Sequence, residues 1–95
     1  MRLPQQQIEF FKQYAPVFTN SNKVYLFGSR TDNAKMGGDI DIAILTEKLP
    51  THFQIYKFKI LFYKKFGEQR LDIKCFTQED NSLFKKHIFS YAIEL

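Results

Sequence analysis

The sequence predicts a small α/β domain, a mixed sheet of three to four strands with helices mainly on one face. Three observations carry this. Apolar residues recur at helical spacing near the start of the chain and again in its middle, short β-rich runs stand between and after those segments, and Gly and Pro fall at the joints. Helix-length and strand-length segments that alternate along a chain pack as a sheet with helices laid on it. With 95 residues and 11.3 kDa there is material for one domain, residues 1–95, and no linker, repeat or low-complexity stretch divides it.

The elements follow in order. Between Gln5 and Phe18, the positions Ile8, Phe11, Tyr14 or Ala15, and Phe18 mark a helix that Pro16 is expected to kink or end. Lys23 to Phe27 is a strand, apolar on both faces and closed by Gly28. From Gly28 to Gly38 the chain turns polar, a loop in which Ser29 is placed to cap a short helical turn. Asp39 to Leu45 alternates as a half-buried strand, and Pro50 stops that segment. Thr51 to Phe66 alternates in part, but its length favours a helix, with Thr51 as N-cap and Gly67 at the C-terminus. Arg70 to Phe76 alternates as another strand, Asn81 to Ile88 reads as a short helix, and Tyr91 to Leu95 as a final edge strand.

Composition narrows the class. Charged residues at 25% and apolar ones at 44% match a soluble globular chain, and the longest apolar stretch, Ile60 to Tyr63, is far too short to span a bilayer. The N-terminus lacks the apolar run of a signal peptide, so the cytoplasm is expected. A lone Cys75 excludes an internal disulfide and a Cys-rich zinc site, and its place in an alternating run reads as a buried thiol. His52 and His87 have no ligand-type neighbour at metal spacing and read as surface or capping residues. The formal charge of +4 suits an anionic ligand. Eleven Phe and five Tyr are many for so small an interior, which implies that some rings face a partner. In the Thr51–Phe66 helix, Phe53, Tyr56, Ile60 and Tyr63 form one stripe and Ile55, Phe58, Phe62 and Phe66 another, so this helix is expected to be part of a docking surface, for a partner or for a second copy.

The chemistry concentrates between Leu26 and Ala43. Asp39 and Asp41 are two apart on a strand, so they share a face about 6–7 Å from each other while Ile40, Ile42 and Ile44 turn to the core. Two carboxylates so close repel unless a cation sits between them, and a hard divalent ion such as Mg²⁺ is the usual answer. Asp72, the polar position of Leu71-Asp72-Ile73, has the same arrangement, and on a neighbouring strand it completes a cluster of three acids able to hold two metal ions. Gly28 lets backbone approach an anion, Ser29 adds a hydroxyl and an N–H, and Arg30 adds positive charge. Alone, Gly-Ser is an ordinary turn and Asp-x-Asp a solvated strand end; their order along the chain, each attached to a strand, is what fits nucleotidyl transfer. P-loop, dinucleotide and nucleophile-elbow motifs are absent, and a calcium loop read from Asp39 fails at Ile44 and Pro50.

Leu26-Phe27-Gly28-Ser29-Arg30, then Gly37-Gly38-Asp39-Ile40-Asp41-Ile42-Ala43, then Gly67-Glu68-Gln69-Arg70-Leu71-Asp72-Ile73 resemble the minimal nucleotidyltransferases of the DNA polymerase β superfamily. The resemblance covers most of the chain. It implies a palm-like α/β fold, with Asp39, Asp41 and Asp72 as catalytic carboxylates and Mg²⁺ ligands and Gly28, Ser29, Arg30 and Gly38 around the triphosphate. Nine residues separate Ser29 from Asp39, where many members have ten, and Asn33 stands where many have Gly. Members are commonly encoded beside a HEPN-domain protein, a predicted RNase toxin, and act as its antitoxin; some transfer AMP from ATP to a Tyr of that toxin.

Two readings follow: from the acids and the resemblance, an enzyme that moves AMP onto a partner's hydroxyl; from the aromatic surplus, a binding module that neutralises a partner by covering it. Direct nucleic-acid binding is not expected, because Lys57, Lys59, Lys64 and Lys65 are spread round their helix and no nucleic-acid motif accompanies them. An antibiotic adenylyltransferase would need an extra domain for its acceptor.

Overall fold

Hydrophobic period and end signals set the elements in the computed structural model, which describes residues 1–95. Helix α1 spans Gln5–Thr19 and strand β1 Val24–Phe27; after a 3-10 turn over Gly28–Thr31 come β2 (Ile40–Thr46), α2 (His52–Phe66), β3 (Leu71–Thr77), α3 (Leu83–Phe89) and β4 (Ile93–Glu94). The sheet order is β3-β2-β1-β4, with β2 and β3 parallel and the other pairs antiparallel. The parallel pair is joined through α2, as a crossover requires.

The core explains the order. Val24, Leu26, Ile40, Ile42, Ile44, Leu71 and Ile73 line one face of the sheet, and α1 and α2 close over it with Phe10, Phe11, Phe58 and Phe62 fully buried. Phe11 stacks on Phe62 with ring centroids 5.3 Å apart, and Phe18 on Phe58 at 5.1 Å. Half of the sixteen aromatic rings are therefore packed in or against the seam between these two helices. On the other face Phe27, Ala43 and Phe76 meet Ile88 of α3, with Phe89 against Tyr25. Two of the three helices thus share a face, and α3 packs on the opposite one through Ile88 and Phe89.

Several ends differ from expectation for local reasons. Pro16 does not end α1, because the Thr19 hydroxyl donates to Ala15 O at 2.7 Å and the Asn20 N–H to Pro16 O at 3.0 Å, carrying the helix on to Thr19. Ser29 is not a cap: it lies inside the 3-10 turn, which is entered from Phe27 and tied by the Thr31 hydroxyl donating to Gly28 O at 2.8 Å. Helix α3 starts at Leu83, because Ser82 takes the capping position and accepts from the Lys85 N–H at 3.2 Å. Thr51 caps α2 as the sequence suggests, in a reciprocal pair with Gln54, and the Gly67 N–H closes its last turn on Tyr63 O. The final edge strand is short, Ile93–Glu94 against Tyr25 and Leu26. Cys75 is partly buried against the main core, and that burial pushes its thiol up to about 11, the condition of an inert side chain.

Candidate active site

Parallel pairing of β2 and β3 puts Asp41 directly opposite Asp72. Because neighbouring residues on a strand point to opposite faces, the burial of Ile40, Ile42, Leu71 and Ile73 beneath α1 and α2 places both carboxylates on the face that α3 leaves open. Asp39 sits just before β2, where the Ile40 N–H donates to Arg70 O at 2.8 Å and extends the ladder past the ends of both strands. The three acids therefore gather at one end of the β2–β3 pair.

From β1 the chain arrives on the other flank. Phe27 pairs with Asp41, and Gly28 follows at φ +76°. A Cβ on Gly28 would collide with Asp41 Oδ2 and stand 2.9 Å from its Cγ. Gly38, at φ +95°, is similarly tight: a Cβ there would run into Ser29 Oγ. Gly28, Ser29, Gly38 and Asp41 are thus brought together by close approaches that only glycine permits.

Burial raises the Asp41 pKa first, and the charges of Asp72 and then Asp39 raise it further, with Lys74 opposing. Two cations flank the group: Arg70 Nε lies 3.5 Å from Asp39 and Lys74 Nζ 3.7 Å from Asp72. The three carboxylates are not drawn into a ready-made ligand cluster. Their chemistry nonetheless fits a hard divalent cation, since the donors are all carboxylate oxygens and Asp41 carries mutual repulsion that a cation would relieve. The flanking ion pairs are solvent-exposed and weak, so they offer such an ion little competition.

Beside the acids, on the β3 side, a cleft of about 730 Å³ is lined by Asp39, Asp72, Tyr63, Gln69 and Arg70. It lies across β2 from Gly28. Arg30 does not extend into this space: its guanidinium donates to Gly38 O at 3.2 Å and to Arg2 O at 3.0 Å. Two residues that the sequence did not mark also reach the site. Arg2 donates to Ser29 O, Asp32 O and Gly37 O, and the Tyr91 hydroxyl accepts from the Gly28 N–H at 3.1 Å. Both contacts span large separations along the chain and belong to no local pattern. His52 and His87 are exposed and distant in role from the acids.

A mixed sheet that presents three acids on one face, next to a glycine-led turn, defines the framework of a nucleotidyl-transferring protein. Residues 5–95 match the family described as Polymerase beta, Nucleotidyltransferase, and the chain belongs to that family. It is a minimal nucleotidyltransferase of the polymerase β superfamily, with the palm-like α/β fold that its sequence implied. No curated protein matches the chain. No helix is long and apolar enough to cross a membrane.

Proposed function

We propose that this nucleotidyltransferase moves AMP from ATP to a hydroxyl of a partner protein, a Tyr of a HEPN toxin, and thereby acts as an antitoxin. The observation that carries the transfer is the in-register pairing of Asp41 with Asp72, Gly28 packed against the first and an open cleft beside the second. The partner, the nucleotide and the Tyr acceptor rest on the family resemblance.

The residues divide the work by position. Gly28 and Ser29, with Gly38 folded over them, form the side on which the triphosphate lies, where backbone can come close to an anion. Asp39, Asp41 and Asp72 would hold Mg²⁺, two ions in this reading. Bound Mg²⁺ supplies charge neutralisation at the phosphates and a lowered pKa for the attacking hydroxyl. Displacement at phosphorus runs in line, so the acceptor enters opposite the leaving group, which assigns it to the cleft beside Asp72 and Arg70. The acceptor oxygen bonds to the α-phosphorus, the bond to the bridging α–β oxygen breaks, and pyrophosphate departs on the Gly28–Ser29 side. Asp72, which lines the cleft, takes the acceptor proton. Incubating the chain with Mg²⁺, labelled ATP and the partner tests the reading: label on the partner, absent with Asp41→Asn, is expected, and no label with any nucleoside triphosphate overturns it.

One observation favours a second reading, neutralisation by covering. Phe53 and Tyr56 of α2 are 66% and 60% exposed, and Tyr56 lines a groove of about 310 Å³ with Phe18, Ile60 and Leu61, between Lys57 and Lys64. Lys57 and Lys64 flank this groove and α2 carries no acid, so pairing two copies through it gathers like charge, whereas an acidic partner complements it. If Asp39→Ala still neutralises the partner stoichiometrically, covering is the operative function.

A further inference from the structure

The loop from Ser29 to Gly38 has little packing to hold it, since its residues are exposed or half-buried. Beyond the bonds within the loop itself, two arginines tie it to the rest of the fold. Arg2 sends Nε to Asp32 O at 2.8 Å, one terminal nitrogen to Gly37 O at 2.8 Å and the other to Ser29 O at 3.0 Å. Its backbone N–H donates to Arg30 O at 2.8 Å, and Arg30 answers with one bond to Arg2 O and one to Gly38 O. Leu3, buried in the main core, anchors Arg2 to the fold.

We propose that Arg2 is a positioning residue for nucleotide binding, which turns the carbonyls of Ser29, Asp32 and Gly37 inward so that the following N–H groups face a phosphate. The inference rests on the assignment of Gly28–Gly38 to the triphosphate side. In a planar trans peptide the C=O and the next N–H point in opposite directions, so fixing a carbonyl fixes the direction of the N–H that follows it. Arg2 thereby orients the N–H groups of Arg30, Asn33 and Gly38, and Arg30, through Gly38 O, that of Asp39. An anion is repelled by carbonyl oxygens and held by amide hydrogens, so a phosphate loop needs its carbonyls sequestered. A guanidinium suits this task because its planar fork serves several acceptors in fixed directions, whereas an ammonium is a compact point charge.

The test titrates Mg·ATP and inorganic pyrophosphate into the full chain and its Arg2→Ala and Arg2→Lys variants, with amide hydrogen exchange over residues 29–38 and melting temperature followed alongside. Arg2→Ala is expected to weaken both ligands by about tenfold or more and to speed exchange in the loop, with a small change in melting temperature. Arg2→Lys should bind as poorly as Arg2→Ala although it keeps the charge. Wild-type affinity in Arg2→Ala overturns the proposal, and so does full rescue by Arg2→Lys, which would make the role one of charge. If the wild-type chain binds neither ligand, the triphosphate assignment itself fails and takes the binding role of Arg2 with it; faster loop exchange in Arg2→Ala would then leave the clamp as a structural brace only.

Discussion

The carboxylate of Asp41 rests against the bare Cα of Gly28, in the space that a side chain at that position would need. The same glycine turns the chain out of β1 at φ +76°, a conformation that L side chains rarely adopt. Two independent constraints therefore fall on one residue. They couple the Gly-Ser turn to the Asp-x-Asp strand, so that the proposed phosphate side and metal side of the site form one rigid unit across the β1–β2 ladder.

Replacing Gly28 should damage both. A Cβ there meets the Asp41 carboxylate and also stands 3.2 Å from the Asp41 Cβ, an atom that side-chain rotation does not move. Gly28→Ala is expected to destabilise the fold by about 1–3 kcal/mol and to abolish Mg·ATP binding. Gly38→Ala, which presses on the rotatable Ser29 hydroxyl, should cost less stability while still weakening the nucleotide. Denaturant titration and calorimetry check the ranking; equal stability of wild type and Gly28→Ala would refute it.

Asp41 makes a prediction in pH. Burial and the neighbouring Asp72 and Asp39 hold its folded-state pKa above the ordinary value, so the folded chain binds that proton more tightly than the unfolded chain does. Without divalent ions, its contribution to stability is most favourable at low pH and is lost as pH rises from the usual carboxylate range through the raised value. Asp41→Asn removes this penalty. Its melting temperature relative to wild type should be higher at about pH 7 than at about pH 4, and an identical difference at both would refute the assignment.

Magnesium should invert that relation. A cation that binds only the folded chain raises its stability by mass action, and ionised acids are what it binds. Added Mg²⁺ is expected to raise the melting temperature of the wild type and to have little effect on Asp39→Ala, Asp41→Asn or Asp72→Ala, in which transfer should fall by at least about a hundredfold. Lys74→Ala, which removes the cation beside Asp72, should tighten Mg²⁺ binding. A magnesium shift that persists in all three acid variants would place the metal elsewhere.

Much of this arrangement is legible in the chain. Period decides α1 and the strands, length decides α2, and the alternation around Asp39, Asp41 and Asp72 correctly places Asp41 and Asp72 on the face away from the main core. What escapes is what period does not encode. Helix α3 has seven residues, too few to show which face of the sheet it covers, and only packing of Ile88 and Phe89 reveals it. Capping by Ser29 is displaced because the turn closes through Thr31, one of several donors that composition alone does not rank. Arg2 and Tyr91 contact the glycine-bounded loop from 27 to 63 residues away, through hydrogen bonds that leave no local signature. The aromatic surplus, read from composition as rings of which some face a partner, goes half to the seam between α1 and α2 and in part to the packing under α3, and only a remainder stays outside.

That remainder yields the last prediction. Phe53 and Tyr56 project from α2 while Phe58 and Phe62 of the same helix are fully buried, so the two sets can be separated by mutation. Truncating Phe62 to Ala leaves a cavity in the core and should cost about 3–5 kcal/mol, a large part of the stability of so small a domain. Replacing Phe53 and Tyr56 with Ser removes exposed rings and should change stability by no more than about 0.5 kcal/mol per site. If α2 is the docking face, that double variant keeps its melting temperature and its Mg·ATP affinity but loses the partner, and with it transfer to the partner's hydroxyl. Reversing charge with Lys57→Glu and Lys64→Glu on the groove rim should likewise weaken association, more at low than at high ionic strength, because exposed charges are screened by salt. Co-elution and transfer that survive both sets of changes would remove α2 from the interface and send the search to the start of α3, where Leu83 and Phe84 are exposed.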